Sequence, residues 1–222
     1  MSALFVTGTG TDIGKTYLSA ALLRALKAGG LDVAVSKPIV SGFDPASPAG
    51  SDPAELLEAI GRPVAPETLA AVSPWQFAAP LSPPLAARLE GQTTDFRTVL
   101  DHCRTRVAAG APLLIEGAGG VMSPLSDNST MLDLAAGLSL PVLLVAGSYL
   151  GTISHTLTAL LALRSAGVGV LAVAVSESLD APDLGETVQS LIRLEPEAPV
   201  IAVRRNEAPP DRLVELVRNA LV

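Results

Sequence analysis

A chain of 222 residues with 49% hydrophobic content and a mean hydropathy of +0.45 has ample material for one large core, and a single domain over residues 1–222 is expected. A formal net charge of −7, a pI near 4.8 and only 3% aromatic residues argue against a nucleic acid partner, which needs a basic face or stacking platforms. No run reaches the roughly 18 apolar residues of a membrane-spanning helix, residues 1–15 lack the basic start and apolar body of a signal peptide, and the one cysteine, Cys103, forms no internal disulfide; a cytoplasmic protein with no membrane contact is expected.

Along the chain, short apolar runs alternate with helical periodicity. Strands are predicted at residues 3–7, 32–36, 113–116, 142–146, 170–175 and 200–203. Helices are predicted at 15–28, 53–60, 84–90, 95–109, 131–138, 153–166, 184–194 and 211–221. Most of the strands are continuous Val/Leu/Ile/Ala runs, as in parallel strands covered on both faces. Right-handed crossovers then give an α/β architecture of three layers, with a mostly parallel central sheet flanked by helices. Residues 41–82, rich in Pro, Ala and Gly, read as a long excursion with one short helical stretch, folded against the ligand edge. That edge is the carboxyl end of the strands, which carries Thr7-Gly8, Ser36-Lys37, Glu116-Gly117, Gly147-Ser148 and Ser176-Glu177.

The stretch VTGTGTDIGKT, Val6 to Thr16, joins the first strand to the first helix through a glycine-rich turn. Backbone N–H groups and a helix N-terminus in this layout hold phosphate. Lys15 supplies a mobile charge for the terminal phosphates and Thr16 a hydroxyl for Mg²⁺, the signature of a P-loop NTPase-like fold. The first glycine of the usual spacing is Thr9 here, with Gly8 one residue earlier, so the loop is a deviant form.

Lys37, directly after the second strand, is either a solvated lysine or a second cation near the γ-phosphate. Ser41 is placed to cap the turn or to bond a substrate. Ser51-Asp52-Pro53 reads as a helix N-cap, with Asp44 as another acidic residue of the same excursion. Glu116 ends a buried strand, where an isolated carboxylate is expensive unless it is paired or binds metal. Cys103 reads as an apolar filler. His102 and His155 have no zinc spacing, and no Ser/His/Asp arrangement is present.

Six ordered blocks, VTGTGTDIGKT, KPIVSG, Ser51-Asp52, PWQFAAPLSPPLAA, IEGAGGVMSPLSD and LGTISH, together resemble the dethiobiotin synthetases, over most of the chain up to about Val175. The resemblance implies a homodimeric, Mg²⁺- and ATP-dependent ligase of biotin biosynthesis. Its substrate, 7,8-diaminononanoate, takes up CO₂ as a carbamate, which attacks the γ-phosphate; the second amine then closes the ring. Carried over by motif, Gly10, Thr11, Asp12, Ile13, Gly14, Lys15 and Thr16 hold the phosphates. Thr16, Asp52 and Glu116 form the metal site, which replaces the N-cap reading of Asp52. Lys37 and Lys15 are the active-site cations, with Thr11 and Asp12 where carbamate meets γ-phosphate. Glu116, Gly117, Ala118 and Gly119 wrap the phosphate side, Ser41, Gly119 and Ser154 contact substrate near the subunit interface, and Ser176 and Glu177 lie at the base.

Three departures from the family pattern stand out. Asp12 replaces a frequent Glu, Ser154 replaces a frequent Asn, and Ser176-Glu177-Ser178 stands where adenine-selective members carry an Asn. A Glu accepts from an exocyclic amine but cannot also donate, so weakened selectivity for ATP among nucleoside triphosphates is expected. A switch ATPase of the ParA/MinD kind is the rival reading. It is disfavoured because residues 7–10 lack the extra lysine of that group. Amidotransferase-linked cobyrinate amide synthases need a second domain with a nucleophilic cysteine.

Overall fold

The computed structural model describes residues 2–179 and 181–222. The chain begins with β1 (Ala3–Gly8), α1 (Lys15–Ala28), β2 (Ala34–Ser36) and β3 (Ile39–Ser41). It continues through α2 (Asp52–Ala59), α3 (Pro66–Val72), β4 (Trp75–Phe77), α4 (Pro83–Leu89) and α5 (Phe96–Ala108). Next come β5 (Leu113–Glu116), β6 (Pro124–Ser126), β7 (Ser129–Thr130), α6 (Met131–Leu138) and β8 (Val142–Gly147). The last elements are α7 (Thr152–Ser165), β9 (Val170–Ser176), α8 (Leu184–Leu194), β10 (Val200–Val203) and α9 (Asp211–Leu221).

Six strands pair in parallel in the order β10-β9-β8-β1-β5-β2. Every residue of β1, β5 and β8 is buried, which is why these strands carry no polar face. Side chains alternate across the sheet: Ala3 and Phe5 enter one core with α4 to α8, and Leu4 and Val6 enter the other with α1, α2, α3 and α9. The chain leaves central β1 for the β2/β5 side and later crosses to β8, β9 and β10. The carboxyl end of β1 is therefore the switch point, where open α/β sheets bind ligands.

The six main strands and all eight expected helices are present, with ends shifted by a residue or two; the start of β2 moves from 32 to Ala34. The excursion after β3 differs from expectation. It holds two helices, α2 and α3, and its end returns as β4, which pairs in parallel with β3 through Ile39↔Trp75, Val40↔Gln76 and Ser41↔Phe77. Leu56 and Leu57 of α2 and Leu69 and Val72 of α3 are buried in the second core. The segment is folded by this apolar burial although its Pro and Gly content reads as loop. No helix among the described residues is long and apolar enough to cross a membrane.

Far from the switch point, the turn between α8 and β10 is fixed by the buried Glu195. Its carboxylate accepts from the two terminal Arg164 guanidinium nitrogens, and also from the N–H groups of Glu197 and Ala198 at 3.1 and 3.0 Å. The hydrogen bonds from Arg164 outweigh burial and hold the Glu195 carboxyl below its ordinary pKa. A depressed carboxyl contributes stability above its unfolded pKa and loses it as pH falls through the folded value. Glu195→Gln is therefore expected to lose about 2 kcal/mol at pH 7, the scale of hydrogen bonds to charged groups. Urea unfolding of both proteins should show the difference shrinking below about pH 4, where carboxylates titrate.

Candidate functional site

β1 ends in the glycine-rich loop, and α1 starts at its far side. Gly14 caps α1 with φ +90 and no side-chain hydrogen bond, so the first N–H groups of a 14-residue helix face the loop without a side-chain partner. Such a helix start attracts anions. Asp12 also has a positive φ, 56, a conformation that Asp adopts more readily than most residues. Lys15 folds back over the loop, its Nζ donating to the Gly10 carbonyl at 2.9 Å. Burial, aided by the charge of Lys37, lowers its pKa to about 8. From the opposite side, the segment after β5 closes in: a Cβ on Gly120 would lie 3.0 Å from the Gly10 nitrogen, and Val121 N–H donates to the Gly8 carbonyl at 2.8 Å.

Beside the loop lies a cluster of charges made by strand register. β2 and β5 are neighbours with Ser36 opposite Ile115, so the next residues, Lys37 and Glu116, meet at the sheet edge. Lys37 Nζ donates to Glu116 Oε1 at 2.7 Å and pairs with Asp52 Oδ2 at 2.7 Å. The Thr16 hydroxyl donates to the same Glu116 oxygen at 2.6 Å. Lys37 is 3% exposed and Glu116 fully buried. Burial works against the Lys37 charge, but Glu116 and Asp52 outweigh it and raise the pKa above the ordinary value. Asp52 shows the mirror effect: burial is outweighed by Lys37, and its pKa is lowered. Asp52 is the first residue of α2 and makes no cap, while Ser51 precedes it with its hydroxyl on the Pro48 carbonyl. The N-cap role is therefore not the one Asp52 fills, and the solvated reading of Lys37 is excluded.

The second Glu116 oxygen, Oε2, is buried and has no hydrogen-bond partner among the described residues. An orphaned carboxylate oxygen beside a hydroxyl and a second carboxylate suits a hard divalent cation, and Mg²⁺ is usually held by one or two carboxylates plus phosphate and water. Among the described residues no group of three His, Cys, Asp or Glu side chains is positioned to hold a metal ion.

A cleft of about 940 Å³ opens over the loop and the cluster. Its lining includes Thr11, Asp12, Ile13, Gly14, Lys15, Thr16, Lys37, Ser41, Asp52, Ala118, Gly119, Ser176 and Glu177. Gly10 and Gly117 sit behind that wall, Gly117 against Phe5, and Glu116 lies beneath it. Ser154 is exposed on the first turn of α7 and outside the cleft. Asp44 only holds a turn, accepting from Ala46 N–H at 2.9 Å. His155 bonds to the Tyr149 hydroxyl at 2.8 Å, and His102 packs edge-on to Trp75. Burial pushes the Cys103 thiol up to about 12, consistent with an apolar filler.

Several lining residues have no role in the sequence reading, among them Tyr17, Glu55 and Ser123, whereas Arg205 belongs to the Val203-Arg204-Arg205 turn, which the sequence reading sets over the base. Glu55 lies one helical turn after Asp52, a spacing that was open to inspection; burial, then Asp52, raises its pKa. Ser123 accepts from Gly120 N–H at 2.7 Å and fixes the turn after β5.

An AAA domain family model matches residues 2–206. The ATP-dependent dethiobiotin synthetase BioD of Caulobacter sp. (strain K31) is 56% identical over 94% of this chain and 90% of its own length. The protein of the same name from Methylobacterium nodulans is 48% identical over 98% of this chain and 99% of its own. Among solved structures, the MinC:MinD cell division protein complex of Aquifex aeolicus superposes with a TM-score of 0.57 at 13% identity, covering 99% of this chain and 86% of that one. The signal recognition particle receptor FtsY of Elizabethkingia anophelis in complex with GDP gives 0.54 at 18% identity, covering 99% and 63%. At such identities the likeness is one of fold, so the MinD-like match lends no support to the switch reading.

Proposed function

The chain belongs to the ATP-dependent dethiobiotin synthetases, ligases that form C–N bonds, and on that premise we propose how its own residues carry out the reaction. The substrates are 7,8-diaminononanoate, CO₂ and a nucleoside triphosphate. One amine adds to CO₂ and loses a proton to give a carbamate. A carbamate oxygen attacks the γ-phosphorus, breaking the bond to the departing ADP. The second amine then attacks the carbonyl carbon of the resulting carbamic–phosphoric anhydride, phosphate leaves, and the ureido ring is closed.

The observation that carries this reading is the buried Lys37, held 2.7 Å from both Glu116 and Asp52 next to a phosphate-binding loop. Two anions, carbamate and triphosphate, have to be brought within reacting distance, so the site needs preorganised positive charge. The N–H groups from Gly10 to Thr16 and the Lys15 ammonium cradle the phosphates. Thr16, Asp52 and Glu116 are the residues that would hold Mg²⁺, which when bound neutralises charge on the β- and γ-phosphates. Lys37 faces the γ-phosphate, and Thr11 and Asp12 border the meeting point of the two substrates; Asp12 reaches one methylene less than the Glu frequent in the family. Gly117, Ala118 and Gly119 let the backbone approach the phosphate side, and Ser41 contacts the diamine.

Ser154 lies outside the cleft of its own chain, which suits a substrate contact completed across a homodimer interface. Leu150 beside it is 89% exposed, an apolar side chain that such an interface would cover. A single-domain enzyme working in the cytoplasm fits the same reading.

Phosphate release from ATP in bicarbonate buffer, with and without 7,8-diaminononanoate, tests the proposal. Release that depends on the diamine and yields a ring-closed product by mass is expected. Turnover that is indifferent to the diamine would sink the reading.

A further inference from the structure

A second cavity, of about 420 Å³, lies against β2, and its lining shares no residue with the cleft. β2 is the last strand of the sheet, so its outer edge is covered by helices and not by a neighbouring strand. Leu23 of α1, Val33 and Val35, Leu57 and Ile60, and Val72 of α3 form an apolar wall, and no aromatic ring lines the space. Lys37 N–H donates to the Val72 carbonyl at 3.0 Å, which closes the edge of the strand between cavity and cleft. Two cations tie the walls together. Lys27 Nζ donates to the Ile60 carbonyl at 2.7 Å, joining α1 to the end of α2. Arg106 of α5 donates to the Ala71 and Val35 carbonyls at 2.8 and 3.0 Å.

Arg62 lines the same cavity, and among the described residues none of Lys27, Arg62 and Arg106 takes part in an ion pair. Asp32 is the one carboxylate in the lining. In a chain with 22 acidic and 15 basic residues, this is a local reversal of charge. Lys27 and Arg62 are neighbours, since a Cβ on Gly61 would meet Lys27 Nζ, and both keep N–H donors that no carbonyl takes. Aliphatic walls with a few polar groups, in a volume within roughly 300–1,000 Å³, are the make-up of a small-molecule pocket. We propose that this cavity binds an aliphatic monocarboxylate, its chain along the apolar wall and its carboxylate at Lys27 and Arg62. The cations choose an anionic head, and a wall without aromatic rings suits an extended hydrocarbon better than a nucleobase. The ring-closed product of the proposed reaction belongs to this class, but binding here does not rest on that reaction and is measured without turnover.

Octanoate is the probe, titrated into protein with isotope-labelled Ile, Leu and Val methyl groups and followed by nuclear magnetic resonance. The Leu57 and Ile60 methyl resonances should shift saturably, while those of Ile13 and Leu81, which line the cleft, stay in place. Affinity should rise about two- to fourfold for each methylene added from butanoate to octanoate, the scale of burying one CH₂. Octylamine, of the same chain length and opposite charge, should bind at least about tenfold more weakly. Arg62→Glu, a change at an exposed side chain, should weaken octanoate about three- to tenfold, as one exposed attraction becomes a repulsion. Ala71→Trp places an indole at the lining of the cavity and should abolish the shifts.

The absence of a saturable shift at Leu57 and Ile60 up to about 10 mM octanoate would overturn the proposal, since a ligand of about ten non-hydrogen atoms reaches that range even at drug-like efficiency. Shifts confined to Ile13 and Leu81 would place octanoate in the cleft and overturn it as well. Equal affinity for octanoate and octylamine would remove the cations from recognition, and equal affinity for butanoate and octanoate would remove the apolar wall; either result rejects a site for aliphatic carboxylates. An affinity that Arg62→Glu leaves unchanged rejects it too, and this arm decides whether or not Ala71→Trp folds. Diamine-dependent phosphate release is unaffected by any of these outcomes, so a failure here leaves the reaction standing.

Discussion

Lys37→Met is expected to lower kcat for dethiobiotin formation by about 10²- to 10³-fold, the usual loss when one preorganised electrostatic contact to a transition state is removed. Methionine nearly matches the length of the lysine stem, so the change removes the charge and little volume. In the folded protein the ammonium is buried with Glu116 and Asp52 as its partners, and its raised pKa keeps it charged across any practical assay range. The side chain is thus a fixed charge beside the phosphate loop that needs no rearrangement when negative charge spreads during phosphoryl transfer. The loss should fall on kcat more than on the KM for the nucleotide, because Lys15 and the loop N–H groups, proposed to bind the ground-state phosphates, are unchanged. Single-turnover phosphate transfer measures this directly. A variant that keeps the parent kcat, with melting curves showing it folded, would remove Lys37 from the chemistry.

The sequence makes the six main strands legible because they are continuous apolar runs, and the phosphate loop legible because its chemistry is contiguous. Glu116 is also readable, since a carboxylate ending a buried strand needs a partner. What that partner is depends on register. Nothing local to Lys37 separates a solvated lysine from one buried against Glu116; the pairing of β2 with β5 decides it, 79 residues apart in the chain. Asp52 misleads for a related reason. Its neighbours satisfy the statistics of a helix start, while the contact that matters comes from Lys37, in the link between β2 and β3. The β3–β4 pair and α3 are short, and elements of three to seven residues depend on what they pack against more than on propensity. Arg205 belongs to the part of the chain that resembles the family weakly, and its tie to Glu177 spans 28 residues.

The cluster also carries stability, and a double-mutant cycle separates that role from catalysis. Removing one partner of a buried ion pair leaves an uncompensated charge and costs about 3–5 kcal/mol. Lys37→Met should reach that range, because Glu116 is fully buried and keeps only the Thr16 hydroxyl as a donor. Glu116→Gln should cost less, since Lys37 retains Asp52, whose side chain is 46% exposed. Combining the two removes both buried charges, so the double variant should be more stable than the sum of the single losses predicts by about 1–3 kcal/mol. Strictly additive losses in urea unfolding would show that the two groups do not act as a pair. Turnover should follow the opposite rule: the double variant lacks both the cation and a carboxylate proposed to hold Mg²⁺, and restored folding should bring no restored activity. Mn²⁺ binding followed by electron paramagnetic resonance, in the presence of a non-hydrolysable nucleotide, supplies the remaining distinction. Glu116→Gln should weaken it by an order of magnitude or more, the scale at which even the supporting groups of metal sites act. Lys37→Met should not weaken it, because it removes none of the oxygens proposed to bind the metal.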